Sequence, residues 1–490
     1  MMRAAPSRWR LIPLLLITFW LGARSLDSDS IWLDEYFSIY DAGGGAYGPL
    51  SPADIWARVA TRNPWHAPGY FTLLGGWGAA VGWEPAALRA FSLLFGVLTV
   101  AGTYRLGVDL VSRRVGLYAA VVLGTSAFFV YYLHEIRMYT LVAFLVVMAL
   151  IVYARLLRVP QANRALWLGW LACLVAVLYA HYLTLIPMAG LAVYHLVFAP
   201  KNRRWWHITG IAALAFALFL PWLPSLLAGV GLAAEADTLH DRAIGTRHLL
   251  QLLATLFGNG SLLLPVLSLL PALLARGRGA RFLWVVTIVA ILVVSVLNEL
   301  FQIIPVTRIR YLLSLWALLA LLVALGIDRL RRVPLLASAL LAVWVVSGVY
   351  NVGNSQFFVE TPSAPYVFPL HAIDDALRED GLPGDFVVNY LSDGMASITY
   401  DRTADFYYRR RGMAFDNVEP KGSPEAQTAE HAEALERLSA HDRVWLAYVP
   451  RDARSNMAVF MALLEEDYRR CEVVLDAPDL RLELYARRSC

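Results

Sequence analysis

Residues 115–157 read VGLYAAVVLGTSAFFVYYLHEIRMYTLVAFLVVMALIVYARLL, two apolar runs, Val115–Leu133 and Tyr139–Leu157, joined by a turn that carries His134, Glu135 and Arg137. Each run reaches the roughly 18 apolar residues that a helix needs to cross a bilayer, and so short a turn makes the two helices antiparallel neighbours. Working outward, runs of similar length recur at Ile208–Leu227, Leu249–Leu274, Phe282–Leu297, Leu312–Ile327 and Val333–Val349. With 58% hydrophobic and 16% charged residues among 490, this is the composition of an integral membrane protein rather than of two or three soluble domains. The net charge is only +4 and the arginines cluster between apolar runs, which makes nucleic-acid binding a poor reading of the charge and the clusters markers of topology.

Short loops rich in Lys and Arg stay cytoplasmic. The clusters Arg3/Arg8/Arg10, Arg113/Arg114, Arg155/Arg158/Arg164, Lys201/Arg203/Arg204, Arg276/Arg278/Arg281 and Arg329/Arg331/Arg332 are therefore assigned inside. From residue 115 onward each successive pair is separated by two spans, so the turns at 134–137, 180–182, 228–247 and 298–310, and everything after Tyr350, fall outside. Upstream, parity permits one crossing between the first span and Arg113. Leu88–Leu106 takes it, and the glycine-rich Gly69–Val81 becomes an in-plane or re-entrant helix on the outer surface, for about eleven spans in all. Arg3, Arg8 and Arg10 followed by Ile12–Leu21 read as a cleaved signal peptide or as a retained first helix.

After Tyr350 the chain turns mixed and charged. "HAIDDALRED" and "AEHAEALERL" read as helices, and "DFVVNY", "RVWLAYV", "CEVVLD" and "LRLELYAR" as strands, which together make a small α/β domain. The expected fold is thus an all-α polytopic membrane domain over residues 1–351, with its first outer loop at 24–87, and an extracytoplasmic α/β domain over 352–490. "GGG" at 43–45 follows no strand and is a loop. Cys173 lies in an apolar run, so only Cys471 and Cys490 are placed to pair, and two cysteines do not decide whether they do.

The polar chemistry collects on the outer side. "SDSIWLDEYFSIYDA" at 28–42 sets Asp34 and Glu35 among aromatics; "NPWHAPGY" holds His66 between Pro64 and Pro68, with Tyr70 following; "YYLHEIRMYTL" carries His134, Glu135, Arg137 and Tyr139; "LYAHYLTL" carries His181 and Tyr182. An enzyme that transfers a sugar from a lipid phosphate needs a carboxylate to take a proton from the acceptor hydroxyl and cations to hold the departing phosphate. Both kinds of group are present. For single residues plainer readings compete: snorkelling arginines, interfacial tyrosines, a capping His181, a His66 that merely turns between prolines.

In the order "LDEYFS", "HAPGYFTLL", "LRAFSLLFGVLTVAGTYRLG", "YYLHEIRMYTL", "AHYLTL", the chain resembles the polyprenyl-phosphate-dependent glycosyltransferases of the membrane-embedded C superfamily. Within it, the match is to the family 39-like group of protein O-mannosyltransferases and the lipid A aminoarabinose transferase, over about residues 10–330. The resemblance implies a retained first helix, Asp34 as catalytic acid with Glu35 assisting, and His66, Arg89 and Arg137 on the donor phosphate, joined by Arg308 or Arg310 from "RIRYLL". It leaves Tyr70, His134, Glu135, Tyr139, His181 and Tyr182 as substrate-binding candidates. The family's His-Pro-Pro stands here as His66-Ala67-Pro68, and Phe37 stands where the aminoarabinose transferase has an arginine, which counts against a lipid A acceptor.

The expectation is an inverting glycosyltransferase of the cell membrane, with its N-terminus cytoplasmic and its C-terminal domain outside. Its partners are a polyprenyl-phosphate-linked sugar, a hydroxyl acceptor and the bilayer, with no nucleic acid, no cofactor and no assigned metal, a divalent ion staying open. A polytopic transporter would show paired broken helices at mid-membrane and internal repeats. A metal-dependent oligosaccharyltransferase-type enzyme would need more oxygen ligands than the acidic pair supplies.

Overall fold

The apolar runs fold as helices because a chain out of water must satisfy its backbone polar groups within itself. The computed structural model describes residues 11–24, 26–27, 29–235, 244–304, 306–354, 357, 369–391, 397–419, 423–450, 455–478, 480–488 and 490. Arg3, Arg8, Arg10, His240 and Asp241 lie outside the described residues. The chain divides into two compact units, residues 1–26 with 50–365 and residues 27–49 with 366–490.

The first unit is helical. Among the described residues six helices are long and apolar enough to cross a membrane: Pro85–Leu110, Tyr139–Arg158, Arg203–Leu232, Arg278–Phe301, Arg308–Arg332 and Pro334–Val352. A bent pair, Arg113–Gly124 with Ala127–His134, makes a seventh if counted as one span, and Leu11–Ala23, Arg164–Ala180, Tyr182–Phe198 and Leu263–Ala272 are shorter apolar helices. Polar caps mark three helix starts: the side chains of Ser112, Asn163 and Asn202 accept from the N–H groups of Val115, Leu166 and Trp205. Where Pro85–Leu110 meets Arg113–Gly124, a Cβ on Gly107 would stand 2.6 Å from the Cα of Gly116, so this approach requires glycine.

Two expected spans are broken. Leu249–Leu274 is two helices, Thr246–Phe257 and Leu263–Ala272, interrupted where Asn259 (φ 52°) and Gly260 (φ 92°) adopt left-handed backbone. Val115–Leu133 bends by 62° at Thr125–Ser126. The two breaks answer each other: Asn259 Oδ1 accepts from the Ala127 N–H (3.0 Å), and its Nδ2 donates to the Trp344 carbonyl (3.2 Å). The Asn259 side chain thus satisfies an N–H at the Thr125–Ser126 break and ties it to the helix Pro334–Val352, whose Asn351 Nδ2 in turn donates to the Asn259 carbonyl (2.8 Å).

The second unit is a five-stranded sheet of β1 (Phe386–Tyr390), β2 (Ala414–Val418), β3 (Arg443–Tyr448), β4 (Arg469–Ala477) and β5 (Leu480–Ala486), in the order β2-β1-β3-β5-β4. β1 runs parallel to β2 and β3, while β5 is antiparallel to β3 and β4. Phe386, Val388, Val444 and Leu446 pack against Leu438, Phe460 and Leu464 of the helices Pro424–Leu438 and Ser455–Asp467. Cys471 and Cys490 form a disulfide.

Residues 27–49, expected in the first outer loop, pack with this second unit. The Ile31 N–H donates to the Tyr407 hydroxyl (2.9 Å), the Tyr47 hydroxyl donates to Asp405 (2.7 Å), and the Arg402 guanidinium lies 4.9 Å over the Phe37 ring. Of the rings on helix Leu33–Asp41, Tyr36 is buried and Phe37 lies under Arg402 of Ser397–Arg409, a helix the sequence reading did not identify.

Candidate active site

In the first unit, four loop and helix-end segments bring cations and imidazoles together around two tyrosine rings. Arg137 is 3% exposed, with its guanidinium 5.8 Å over the Tyr139 ring. Arg310 Nε donates to the Tyr139 hydroxyl at 2.9 Å, and the guanidinium groups of Arg310 and Arg308 lie 5.8 and 6.0 Å over Tyr311. The His181 ring is 5.5 Å from Tyr311 and 6.1 Å from His66. Tyr139, Val142, His181, Arg310, Tyr311, Leu313 and Ser314 line a cavity here.

Backbone geometry sets these groups in place. Arg308 sits at a kink (φ −119°, ψ 16°) just before the buried Trp316–Arg329 helix. The turn carrying Arg137 is held by Ser92, whose hydroxyl donates to the Glu135 and Arg137 carbonyls at 2.5 and 3.2 Å. The proline-flanked loop is held by Tyr182, whose hydroxyl donates to the His66 carbonyl (2.9 Å) while accepting from Trp222 Nε1 (2.8 Å). Tyr182 therefore acts on the site through the His66 backbone.

The imidazoles are neutral. Burial, followed by the charges of Arg137, His181 and Arg308, holds His66 well below the usual histidine value. Burial and then Arg137 push His181 down to about 4. In this cluster the arginines carry the positive charge and the histidines are hydrogen-bonding groups.

The remaining sequence candidates separate from it. Arg89, 2% exposed, donates to the Leu26 carbonyl at 3.0 Å, and with Arg24 it bears electrostatically on His134. Tyr70 is fully buried against Phe71 and Phe91, at 5.4 and 6.1 Å between rings. Glu135 is buried, and its backbone carbonyl anchors the turn. Tyr311, Ser314, Ser92 and Trp222 were missed by sequence reasoning. Tyr311 alone had a signal, since it follows the arginines in "RIRYLL".

Asp34 and Glu35 belong to the second unit and occupy the first turn of Leu33–Asp41, where carboxylates suit the positive end of the helix dipole. Their surroundings differ. Glu35 is 1% exposed and accepts from the Trp32 N–H at 3.4 Å, so it caps the helix start. Asp34 is half-buried, and the bond at this residue from the Ser38 hydroxyl (3.0 Å) goes to its backbone carbonyl. Among the described residues no three His, Cys, Asp or Glu side chains converge to hold a metal ion.

Residues 66–224 match the model of a family described as dolichyl-phosphate-mannose-protein mannosyltransferase. No curated protein sequence matches the chain. Among solved structures, the apo form of ArnT from Cupriavidus metallidurans superposes with a TM-score of 0.58 at 12% identity, covering 98% of both chains. The form of ArnT bound to undecaprenyl phosphate gives 0.57 at the same identity and coverage. The apo oligosaccharyltransferase of Archaeoglobus fulgidus gives 0.50 at 12% identity, over 94% of this chain and 73% of that one. The chain shares the fold of these proteins, and the resemblance is borne out by the family model over the segments from "HAPGYFTLL" through "AHYLTL".

Proposed function

We propose that this chain is an inverting glycosyltransferase that moves a sugar from a polyprenyl-phosphate donor to a hydroxyl acceptor on the outer face of a cell membrane. The observation that carries the reading is the convergence of Arg137, Arg308 and Arg310 with two neutral histidines around Tyr139 and Tyr311 inside a helical, apolar unit. Buried guanidinium groups held by rings and a phenol are fixed donors for an anion. A lipid phosphate departs with its charge already delocalised and needs electrostatic stabilisation rather than a strong acid. Tyr139 holds Arg310 in orientation, and His66 adds a neutral ligand.

Asp34 takes the proton from the acceptor hydroxyl as its oxygen attacks the anomeric carbon from the face opposite the phosphate. One displacement inverts the configuration. Glu35 keeps the helix start in place, and Arg89 supports the site through the Leu26 backbone. The topology we propose has about eleven spans, with the N-terminus cytoplasmic. The membrane domain is drawn from residues 1–351, whose first outer loop at 24–87 lends residues 27–49 to the second compact unit, and the extracytoplasmic domain is drawn from 352–490.

Purified wild type, Arg137→Ala and Arg137→Lys are to be compared for retention of undecaprenyl phosphate. The alanine variant should lose affinity by about tenfold or more, the loss of one hydrogen bond to a charged group, and lysine should restore only part, because an ammonium cannot form the guanidinium fork. Wild-type affinity in Arg137→Ala would remove this arginine from the phosphate site and the reading with it.

A further inference from the structure

We propose that His181 is a donor-site ligand of fixed tautomer, presenting a neutral Nε2–H to an oxygen of the lipid-linked phosphate. The inference rests on the glycosyltransferase reading above and assigns one hydrogen bond within it. The Leu183 N–H donates to His181 Nδ1 at 3.1 Å. An imidazole nitrogen that accepts carries its lone pair, and a neutral ring holds one proton, so the proton sits on Nε2. The backbone amide that His181 caps in the turn Tyr182–Thr184 thereby selects the tautomer.

The ring lines the cavity with Arg310, Tyr311 and Ser314, and Nε2 has no hydrogen-bond partner among the described residues. Protonating Nδ1 would break the bond to Leu183 and place another cation beside Arg137, inside a 9%-exposed site. His181 therefore neither gives nor takes a proton in the reaction. It adds direction to a site whose arginines supply charge, which is what a neutral donor contributes to recognition of an oxyanion.

The competing account is that His181 only caps the turn, and the two accounts call for opposite results in one variant. Asparagine is a good cap, because its side-chain oxygen accepts from a backbone N–H two residues on, but it does not extend to the Nε2 position. His181→Asn should keep the wild-type melting temperature and lose undecaprenyl phosphate affinity by ~10- to 100-fold, the range for a hydrogen bond to a charged group. His181→Gln, whose amide N–H reaches the Nε2 position, should recover most of it. Inorganic phosphate as a second probe should show the same ranking.

Wild-type retention in His181→Asn reduces the residue to a cap and overturns the proposal. Weakened retention of the lipid with unchanged binding of inorganic phosphate moves the contact off the phosphate and overturns it too. A 15N spectrum of the wild type at pH 7 with an Nδ1–H or a protonated ring at His181 does the same whatever the variants do. If His181→Asn binds normally while Arg137→Ala does not, this inference fails and the glycosyltransferase reading stands; normal binding in Arg137→Ala fails the reading itself.

Discussion

The proposed site in the first unit and the buried charges of the second have different surroundings. In the second, buried charges meet opposite charges of the same unit: Asp374 lies between Arg410 and Arg411, the latter at 2.9 Å, and Glu483 accepts from the Tyr485 hydroxyl at 2.8 Å with Arg481 2.9 Å away. In the first, Arg137 and Arg310 lie over tyrosine rings beside neutral histidines. Closed ion pairs fix a fold. Rings and a phenol hold the Arg137 and Arg310 guanidinium groups in orientation, and a cation out of water is more tolerable where an anion arrives to share the site.

Asp34 tests this division most strongly, because it packs with the second unit while its proposed work is chemical. Asp34→Asn keeps shape and most hydrogen bonding but cannot accept a proton, so sugar transfer should fall by the ~10²–10⁴-fold typical of general-base loss. Its melting temperature and its retention of undecaprenyl phosphate should stay those of the wild type. Glu35→Gln should cost less in turnover and more in stability, because the Trp32 N–H loses a charged acceptor. Labelled-sugar transfer and melting curves on both variants read the contrast. Wild-type transfer in Asp34→Asn, or a dead Glu35→Gln beside it, reverses the roles.

The same division explains what the sequence could and could not convey. Hydropathy located the long helices, because span length and apolarity are local properties: Leu88–Leu106 is found within Pro85–Leu110, and Tyr139–Leu157 within Tyr139–Arg158. It missed the breaks at Thr125–Ser126 and at Asn259–Gly260, which sit inside apolar runs, although Asn-Gly is itself a turn signal. In the second unit the strands around "DFVVNY" and "RVWLAYV" were legible, while β2 and the helix Ser397–Arg409 were hidden by the charged, aromatic "DFYYRRRG". The packing of residues 27–49 with that unit depends on partners such as Tyr407 and Asp405 that no local pattern announces. At the site, residue types were legible and groupings were not: His66, Arg137, His181 and Arg310 share a cluster, whereas Arg89 turns to the Leu26 carbonyl.

A second, smaller effect should separate the units by their covalent ties. The Cys471–Cys490 disulfide closes a loop of 19 residues' separation in the second unit, and a loop of that length restricts the unfolded chain by roughly 3 kcal/mol. Cys490→Ser should lower the unfolding transition of the C-terminal unit, followed by Trp445 fluorescence against a variant with that tryptophan replaced. Undecaprenyl phosphate retention should be unchanged. A loss of retention equal to that of Arg137→Ala would mean that the donor site depends on the second unit's integrity.

The smallest expected effect is a pH dependence of stability in the first unit. An unfolded imidazole takes its proton near pH 6.5, while His181 in the folded protein takes it only near 4, because burial and then Arg137 oppose the charge. Between those values the unfolded state binds more protons. The stabilisation from keeping His181 neutral is therefore complete above pH 6.5, shrinks as pH falls toward 4 and shrinks no further below, with a slope of at most about 1.4 kcal/mol per pH unit. His66, held low by burial, Arg137, His181 and Arg308, adds in the same direction. In the second unit burial alone pushes His431 down, so some slope in this window belongs there too. Asp374 acts lower: burial raises its carboxyl, Arg411 and Arg410 outweigh burial, and its contribution is lost only as pH falls through and below 3.8. Melting temperatures of wild type and His181→Asn at pH 7, 5.5 and 4.5 isolate the first unit's share. The variant should lose less stability across this range than the wild type, with the two curves together at pH 7 and furthest apart at pH 4.5; parallel curves would mean that His181 takes up its proton in the folded protein as readily as in the unfolded chain.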